Sequence, residues 1–565
     1  MLNISCQNCK KDFLISEDNQ AFCQKMSVPL PTWCPQCRMT RRLSFVNAWS
    51  LFWRDCDKCG KKTMSSYRPE YKGKVYCQPC WWADDWDGTE YAMDYDPSRN
   101  FLEQWKELQL NTPHCALETT YLTLKNSDYC NGIAYGKNCY LTFWSDYCED
   151  VYYSSLLNEL KDSSDCLRMW RSELCYESVG LGRSNKTLFS DTCDDCSEVW
   201  FSRNCYGCIN CVGCVNMRGA SYCIFNQKYS KEEYFEKLKE LKLDTRDGIE
   251  VMFTTIEQIN KKFPYREYTG NPQNFNVSGD YIFESKNAED CYMCVNTEDS
   301  KFCQFISVPT AKDCYDYSGW GNGVSQMYEC GNVGENANNC KFSFYCFPDS
   351  LGLEYSSWCI GGKNNFGCVN LKRQKYAILN KVYDKESYED LILRIKEDMN
   401  NNPFIDSKGR TYKYGEFFPV EFSLYPYNDA NVIKFIPKTK EQALSEGFKW
   451  EDKIESKHIP TIQSINLPQT IKEVDETILK EVIECKSCHK GYKVVSGELN
   501  LLKKLDLPIP VKCPKCREER RFDLTNKPFL YETNCDKCGK EIKTAHIKDS
   551  GKILYCEKCY QQEFV

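Results

Sequence analysis

Between residues 127 and 228 the chain shows no long helical stripe, and its small apolar residues instead keep a beat of nine. Cys130, Cys139 and Cys148 are nine apart, Leu157 fills the next slot, Cys166 and Cys175 follow, Ser184 fills in, and Cys193 comes next. After a three-residue shift the beat resumes at Cys196, Cys205, Cys214 and Cys223. Tyr140, Thr142, Phe143, Val151 and Tyr152 favour strands, and the Ser, Asp, Asn and Gly residues between them favour turns. Nine residues are too few for a helical hairpin and suit one strand and one turn. Two such units would make an 18-residue coil, and roughly six coils, spaced 4.7 to 4.9 Å, would stack to about 27 Å.

A second, less regular array runs through Cys291, Cys294, Cys303, Cys314, Cys330, Cys340, Cys346, Cys359 and Cys368. Both arrays end alike. Ser221–Tyr–Cys–Ile–Phe–Asn leads to Tyr229–Ser–Lys–Glu–Glu–Tyr, and Lys375–Tyr–Ala–Ile–Leu–Asn leads to Tyr383–Asp–Lys–Glu–Ser–Tyr. Each ending predicts a helix that covers an open strand edge, one with a Ser230–Glu233 capping box and one capped by Asp384. Asp96–Pro97 predicts the opening of another helix carrying Phe101, Leu102, Trp105 and Leu108. Thr439 to Gly447 reads as a short helix, and Tyr414–Gly–Glu–Phe–Phe–Pro as a packed loop.

Outside the arrays the cysteines follow a different ruler. Cys6, Cys9, Cys34, Cys37, Cys56, Cys59, Cys77 and Cys80 recur 479 positions later as Cys485, Cys488, Cys513, Cys516, Cys535, Cys538, Cys556 and Cys559. Each copy holds two pairs of C-x2-C turns, the spacing that brings four thiolates onto one tetrahedral ion. Four structural Zn2+ sites are expected. The duplication also sorts the neighbours: Cys23 matches Leu502 and His489 matches Lys10, so neither is expected to be a ligand. Both copies share P-x-P-x-x-C-P-x-C-R-x-x-R-R, which repeats Arg38, Arg41 and Arg42 as Arg517, Arg520 and Arg521. Arginines at i, i+3 and i+4 share one helical face, a candidate stripe for phosphate contacts.

The reading is mainly β: two cysteine-rich, nonapeptide-repeat β-solenoids capped by helices and flanked by duplicated two-zinc modules. The expected units are a double zinc module (1–82), a helical linker (83–126), a first solenoid with its helix (127–245), a second (246–400), an irregular linker (401–480) and a second double zinc module (481–565). Cysteine on the beat has three readings: inward packing, since reduced Cys is small and readily buried; an iron–sulfur site at Cys205, Cys208, Cys211 and Cys214; and a redox thiol array.

Charge and cysteine content add a compartment and a partner. The 39 cysteines stand against 4 histidines, and the start of the chain shows no apolar leader. A reducing cytoplasm, with thiols serving metals and not disulfides, is the expectation. Residues 1–82 carry 13 basic and 6 acidic residues, and residues 480–565 carry 18 and 13. With the whole chain at −7, the middle holds about −19. Basic ends flanking an acidic body suggest that the ends meet a polyanion.

The shared zinc-module motif resembles the small zinc-ribbon domain, treble-clef-like in outline. With the nine-residue beat and the YSKEEY helix, nearly the whole layout resembles a set of uncharacterised cysteine-rich proteins of candidate phyla radiation bacteria. That resemblance implies zinc binding and a bacterial cytoplasmic setting, and no activity. No Gly-rich phosphate loop, nucleophile elbow or dinucleotide fingerprint occurs. The expected function is therefore a non-enzymatic zinc protein whose terminal modules contact RNA or the ribosome. The alternative is a protein–protein scaffold built on the solenoids, with metal storage or redox buffering behind it. No membrane contact and no small-molecule substrate is evident.

Overall fold

The computed structural model describes residues 1–271, 273–452, 458–547 and 550–564. The chain is mostly β, with tetra-cysteine clusters towards both ends. Between them, strands pair in parallel at a constant offset. In the first array Tyr140 pairs with Tyr152, Ser164 with Tyr176, Ser197 with Ile209 and Cys211 with Cys223, always twelve residues apart. Single bridges such as Lys137 to Glu149 and Tyr206 to Arg218 keep the same step.

The turn of the chain is thus twelve residues, not the eighteen expected. The reason lies in the backbone. Every third residue from Tyr135 to Phe225 takes a left-handed conformation, with φ between 44° and 65°. Each such residue makes a corner, and four three-residue steps complete one turn. Glycine fills only four of these corners, Gly180, Gly207, Gly213 and Gly219; most of the others hold large or charged residues such as Trp144, Leu156 and Arg171. Side chains at such angles are individually disfavoured. A ladder of hydrogen bonds between successive turns holds them there, as where Tyr147 N–H donates to Ala134 O and Lys137 N–H to Cys148 O.

Corners every three residues turn every third side chain inward. All the fully buried apolar residues of the first array's interior, from Cys130 through Ile133, Cys139 and onward to Cys223, obey this rule. The nine-residue beat is one twelve-residue turn less one three-residue step, so it marks a diagonal around the interior. Serines and threonines occupy the same inward slots. Ser154 Oγ donates to Tyr152 O at 2.7 Å and accepts from Cys166 N–H at 2.9 Å, one turn on. Cys166 Sγ in turn reaches Ser164 O at 3.4 Å and Cys175 O at 3.7 Å. A small side chain with one donor fits the space and serves carbonyls near the corners.

The second array uses the same device with insertions. Ile282 pairs with Cys294 twelve residues on, Thr297 with Ala311 fourteen on, Ala311 with Val324 thirteen on, and Leu351 with Lys363 twelve on again. These extra residues account for the irregular beat. Cys303 Sγ reaches the carbonyl of Cys314, eleven on, and Cys330 that of Cys340, ten on, both at 3.2 Å.

The helix Lys231–Glu240 closes the first array with the expected Ser230–Glu233 capping box and buried Tyr234. Lys385–Asn401 follows the second, capped by Asp384. The expected helix at Asp96 starts later. It runs Phe101–Asn111 from an Asn100 cap, because Asp96 spends its carboxylate on the Ser98 turn. Lys440–Ser445 forms with its Thr439 cap, and Phe417 and Phe418 of the packed loop are fully buried.

The corner geometry is testable. Asn210, a corner at φ 54°, should tolerate glycine with a change within about 1 kcal/mol, whereas Asn210→Val should cost about 1–2 kcal/mol. Chemical unfolding midpoints of the two variants check the ordering.

Candidate metal centres

Four groups of cysteines converge within 4.8 Å: Cys6, Cys9, Cys34 and Cys37; Cys56, Cys59, Cys77 and Cys80; Cys485, Cys488, Cys513 and Cys516; and Cys535, Cys538, Cys556 and Cys559. All sixteen expected ligands are in them, four to a site. Cys23 and His489 are in none: Cys23 is buried in the core, and His489 lies exposed against Glu484 at 2.9 Å.

Each site is assembled the same way. The first two cysteines flank the bend of a hairpin, as between Leu2–Ser5 and Asp12–Ile15 or between Tyr531–Asn534 and Glu541–Thr544. The residue after the second cysteine is left-handed in all four: Lys10, Gly60, His489 and Gly539. Two are glycines, which suit a positive φ, and the other two bends hold Lys10 and His489 in the same conformation. The third cysteine stands at the start of a helix: Cys34 before Pro35–Leu43, Cys77 before Gln78–Trp82, Cys513 before Pro514–Leu524 and Cys556 before Glu557–Phe564.

The donor geometry fits a tetrahedral ion. Sulfur–sulfur separations are 3.8 Å for Cys9–Cys34, 3.9 Å for Cys59–Cys77 and 3.7 Å for both Cys488–Cys513 and Cys538–Cys556. A metal held by four sulfurs at about 2.3 Å calls for an edge of about 3.8 Å. Backbone N–H groups support the thiolates: Cys34, Cys77, Cys513 and Cys556 N–H donate to the first sulfur of their sites at 3.2 Å. Burial raises the Cys56 thiol, but backbone N–H groups of Cys59, Cys77 and Lys58 outweigh it and bring it down to about 7. Cys485 is likewise brought to about 7 by the N–H groups of Cys488, Cys513 and Ser487, and Cys535 to about 6 by those of Cys556, Cys538 and Lys537, again against burial. Burial pushes Cys513 of the same clusters up to about 11, and in the arrays it pushes Cys139 to about 11 and Cys175 to about 12, whereas contacts with Cys294 and Cys303 bring Cys291 down to about 5. Cys205, Cys208, Cys211 and Cys214 do not form a further four-sulfur group; three-residue steps send them to successive sides of one turn.

Five of the six arginines face inward, which corrects the expected phosphate stripe. Arg38, Arg41, Arg42, Arg517 and Arg521 are 3% exposed or less. Arg38 and Arg42 share Asp316 of the second array at 2.8 and 2.9 Å, and Arg41 holds Glu329 at 3.0 Å and Glu416 at 3.2 Å. Arg517 and Arg521 share Asp165 of the first array at 3.3 and 2.7 Å, and Arg517 also holds Glu498 at 2.8 Å. Arg520 is partly exposed and pairs with Glu177. The first module thus docks on the second array and the last module on the first. Asp316 and Asp165, both at left-handed corners, play matching parts.

No family model and no curated protein matches the chain. It has a slight likeness to a solved structure described as "putative acetyltransferase from Desulfovibrio desulfuricans G20", at 10% identity over 52% of this chain and 75% of that chain, with a TM-score of 0.10. A likeness that slight carries no argument. Among the described residues no helix is long and apolar enough to cross a membrane.

Elemental analysis should find four metal ions per chain, and Cys9→Ser should lower the count while Cys23→Ser leaves it unchanged. A count below three would overturn the assignment of the sites. Thiol reagents should modify Cys139 slowly in the folded protein, because it is both buried and protonated.

Proposed function

We propose that the protein is a non-enzymatic, zinc-dependent binding scaffold. In this reading four Zn2+ ions fold two terminal modules, and these modules clamp two β-solenoids of twelve-residue turns. The observation that carries it is the burial of Arg38, Arg41, Arg42, Arg517 and Arg521 against carboxylates, chiefly Asp316, Glu329 and Asp165 of the arrays, because only a folded module can present such guanidiniums from one helix. Zinc is favoured over other ions by the all-thiolate tetrahedral donor set. Four cysteines per ion leave no open position for a substrate or an activated water, which supports a structural role and not a catalytic one.

The charge asymmetry then has an internal partner. Basic modules meet an acidic body within the same chain, and the nucleic-acid reading loses the residues that supported it. The alternative of a scaffold that binds through its array surfaces gains by the same argument.

Arg41→Met should destabilise the protein by about 3–5 kcal/mol, since Glu329 is left buried without its strongest partner. The change should appear as a lower unfolding midpoint and faster proteolysis between the first module and the second array. Stripping zinc with a strong chelator should produce the same proteolytic pattern, as the clamp helix loses its anchor. Filter binding of structured RNA at low salt should show no loss of affinity attributable to Arg38, Arg41 and Arg42. A steep salt dependence that vanishes in their alanine variants, with the fold intact, would restore the RNA reading.

A further inference from the structure

The two arrays and the last module enclose a cleft of about 910 Å3, within the range of small-molecule sites. Its walls include Trp170, Tyr281, Phe283 and Phe305, and Trp170 meets Phe283 edge-on across the arrays at 5.8 Å. Six arginines line it. Arg171 pairs with Glu159, Arg183 with Asp194 and Asp195, and Arg266 with Glu557. Arg203 donates to Asn260 Oδ1 at 3.0 Å, and Arg218 to Asn204 O at 2.6 Å.

Arg168 is the exception. Its side chain is buried, with 9% of the residue exposed, yet neither Nε nor Nη2 has a hydrogen-bond partner. The guanidinium lies 3.8 Å over the Tyr281 ring. On its edge stands Gly180, where a Cβ would come within 2.3 Å of Nη2. Gly180 is one of the few glycine corners in an array that otherwise tolerates bulky ones, so its missing side chain makes room for this guanidinium. Asp191 lies in the same wall but gives Arg168 no hydrogen bond; its Oδ1 accepts from Thr192 Oγ1 at 2.8 Å. Lys552 adds a further cation, 3.4 Å from His546 Nδ1 and 4.7 Å from the Tyr265 ring. A buried guanidinium with two unpaired donors is costly unless an acceptor arrives.

We infer that this cleft binds a small ligand that combines an oxyanion, carboxylate or phosphate, with an aromatic or apolar body. The oxyanion would take Arg168, whose fixed fork suits two oxygens once Nε and Nη2, both buried in this structure, turn toward the cleft. The apolar part would lie among the aromatic walls, because the cleft is far larger than a lone oxyanion. The inference rests on the reading of the chain as a binding protein and adds the class of ligand.

Calorimetric titration of the full, zinc-loaded chain tests it, with phenyl phosphate, benzoate and phenol as probes. Phenyl phosphate or benzoate should bind, the stronger of the two telling phosphate from carboxylate, and phenol should bind at least about tenfold more weakly. Arg168→Gln should weaken the better oxyanion by about tenfold or more. Arg168→Lys keeps the charge over Tyr281 and loses the fork, so it should fold and weaken binding severalfold; it decides the matter if the glutamine variant does not fold. Absence of binding by both oxyanions at millimolar concentration would overturn the inference, as would unchanged affinity in the lysine variant. Zinc content and resistance to proteolysis, measured on the same samples, report separately on the clamp.

Discussion

Five arginines with almost no exposed surface tie the two ends of this chain to its middle. Their energetics are lopsided. A buried guanidinium and a buried carboxylate each lose hydration worth several kcal/mol, and only close, multiply bonded geometry recovers it. Removing one partner leaves the other stranded. Asp316 bridges Arg38 and Arg42, and Asp165 bridges Arg517 and Arg521, so the buried ion pairs key each module to one array, while lighter contacts such as Trp49 Nε1–H to Ser155 Oγ and Lys543 to Asp290 reach the other. The crossing of the modules, first to second and last to first, follows from where those aspartates lie. Apolar contact adds area around the same joints: Phe22 stacks on Tyr315 at 3.7 Å, and Trp49, Phe435 and Phe522 meet near the centre.

The metal sites serve these joints. In each module the helix that carries the arginines begins at a ligand, Cys34 or Cys513. An ion held there would fix the direction of this helix, beside the apolar packing of Trp33, Leu43 and Phe45 in the first module and of Leu499, Leu502 and Leu505 in the last. A structural metal ion held there would add about 10–16 kcal/mol per site. The array thiols are buried, and many reach backbone carbonyls, where they act as small inward side chains alongside serine. Two cysteine populations thus live in one chain, one gathered in four tetra-cysteine clusters and one buried along the array interiors.

Inside the arrays the governing constraint is the left-handed corner. It fixes which third of the residues points inward, and it places Asp165, Asp316 and Arg168 at positions whose side chains leave the array toward its partners. Glycine at corner 180 shows what happens when a neighbour needs the space. Insertions of one or two residues in the second array shift the spacing without breaking the parallel ladder, because each corner is independent of the next.

The ligand sets were legible in the sequence because a tetrahedral site is built from short-range spacing, and a duplication at one offset repeats that spacing twice. So were the mainly β middle, the inward cysteines, and the capping residues Ser230, Asp384 and Thr439, each a local effect. The length of the turn was not. Its corners carry Tyr, Trp, Leu and Arg, residues that give no local sign of a left-handed backbone; only hydrogen bonds to the neighbouring turns hold them. The arginines showed in the sequence as a charged stripe, but their partners lie some 270 to 360 positions away. Whether a basic helix face meets solvent, a polyanion or a buried aspartate is decided by what the rest of the chain places opposite it, and that is a property of the tertiary structure alone.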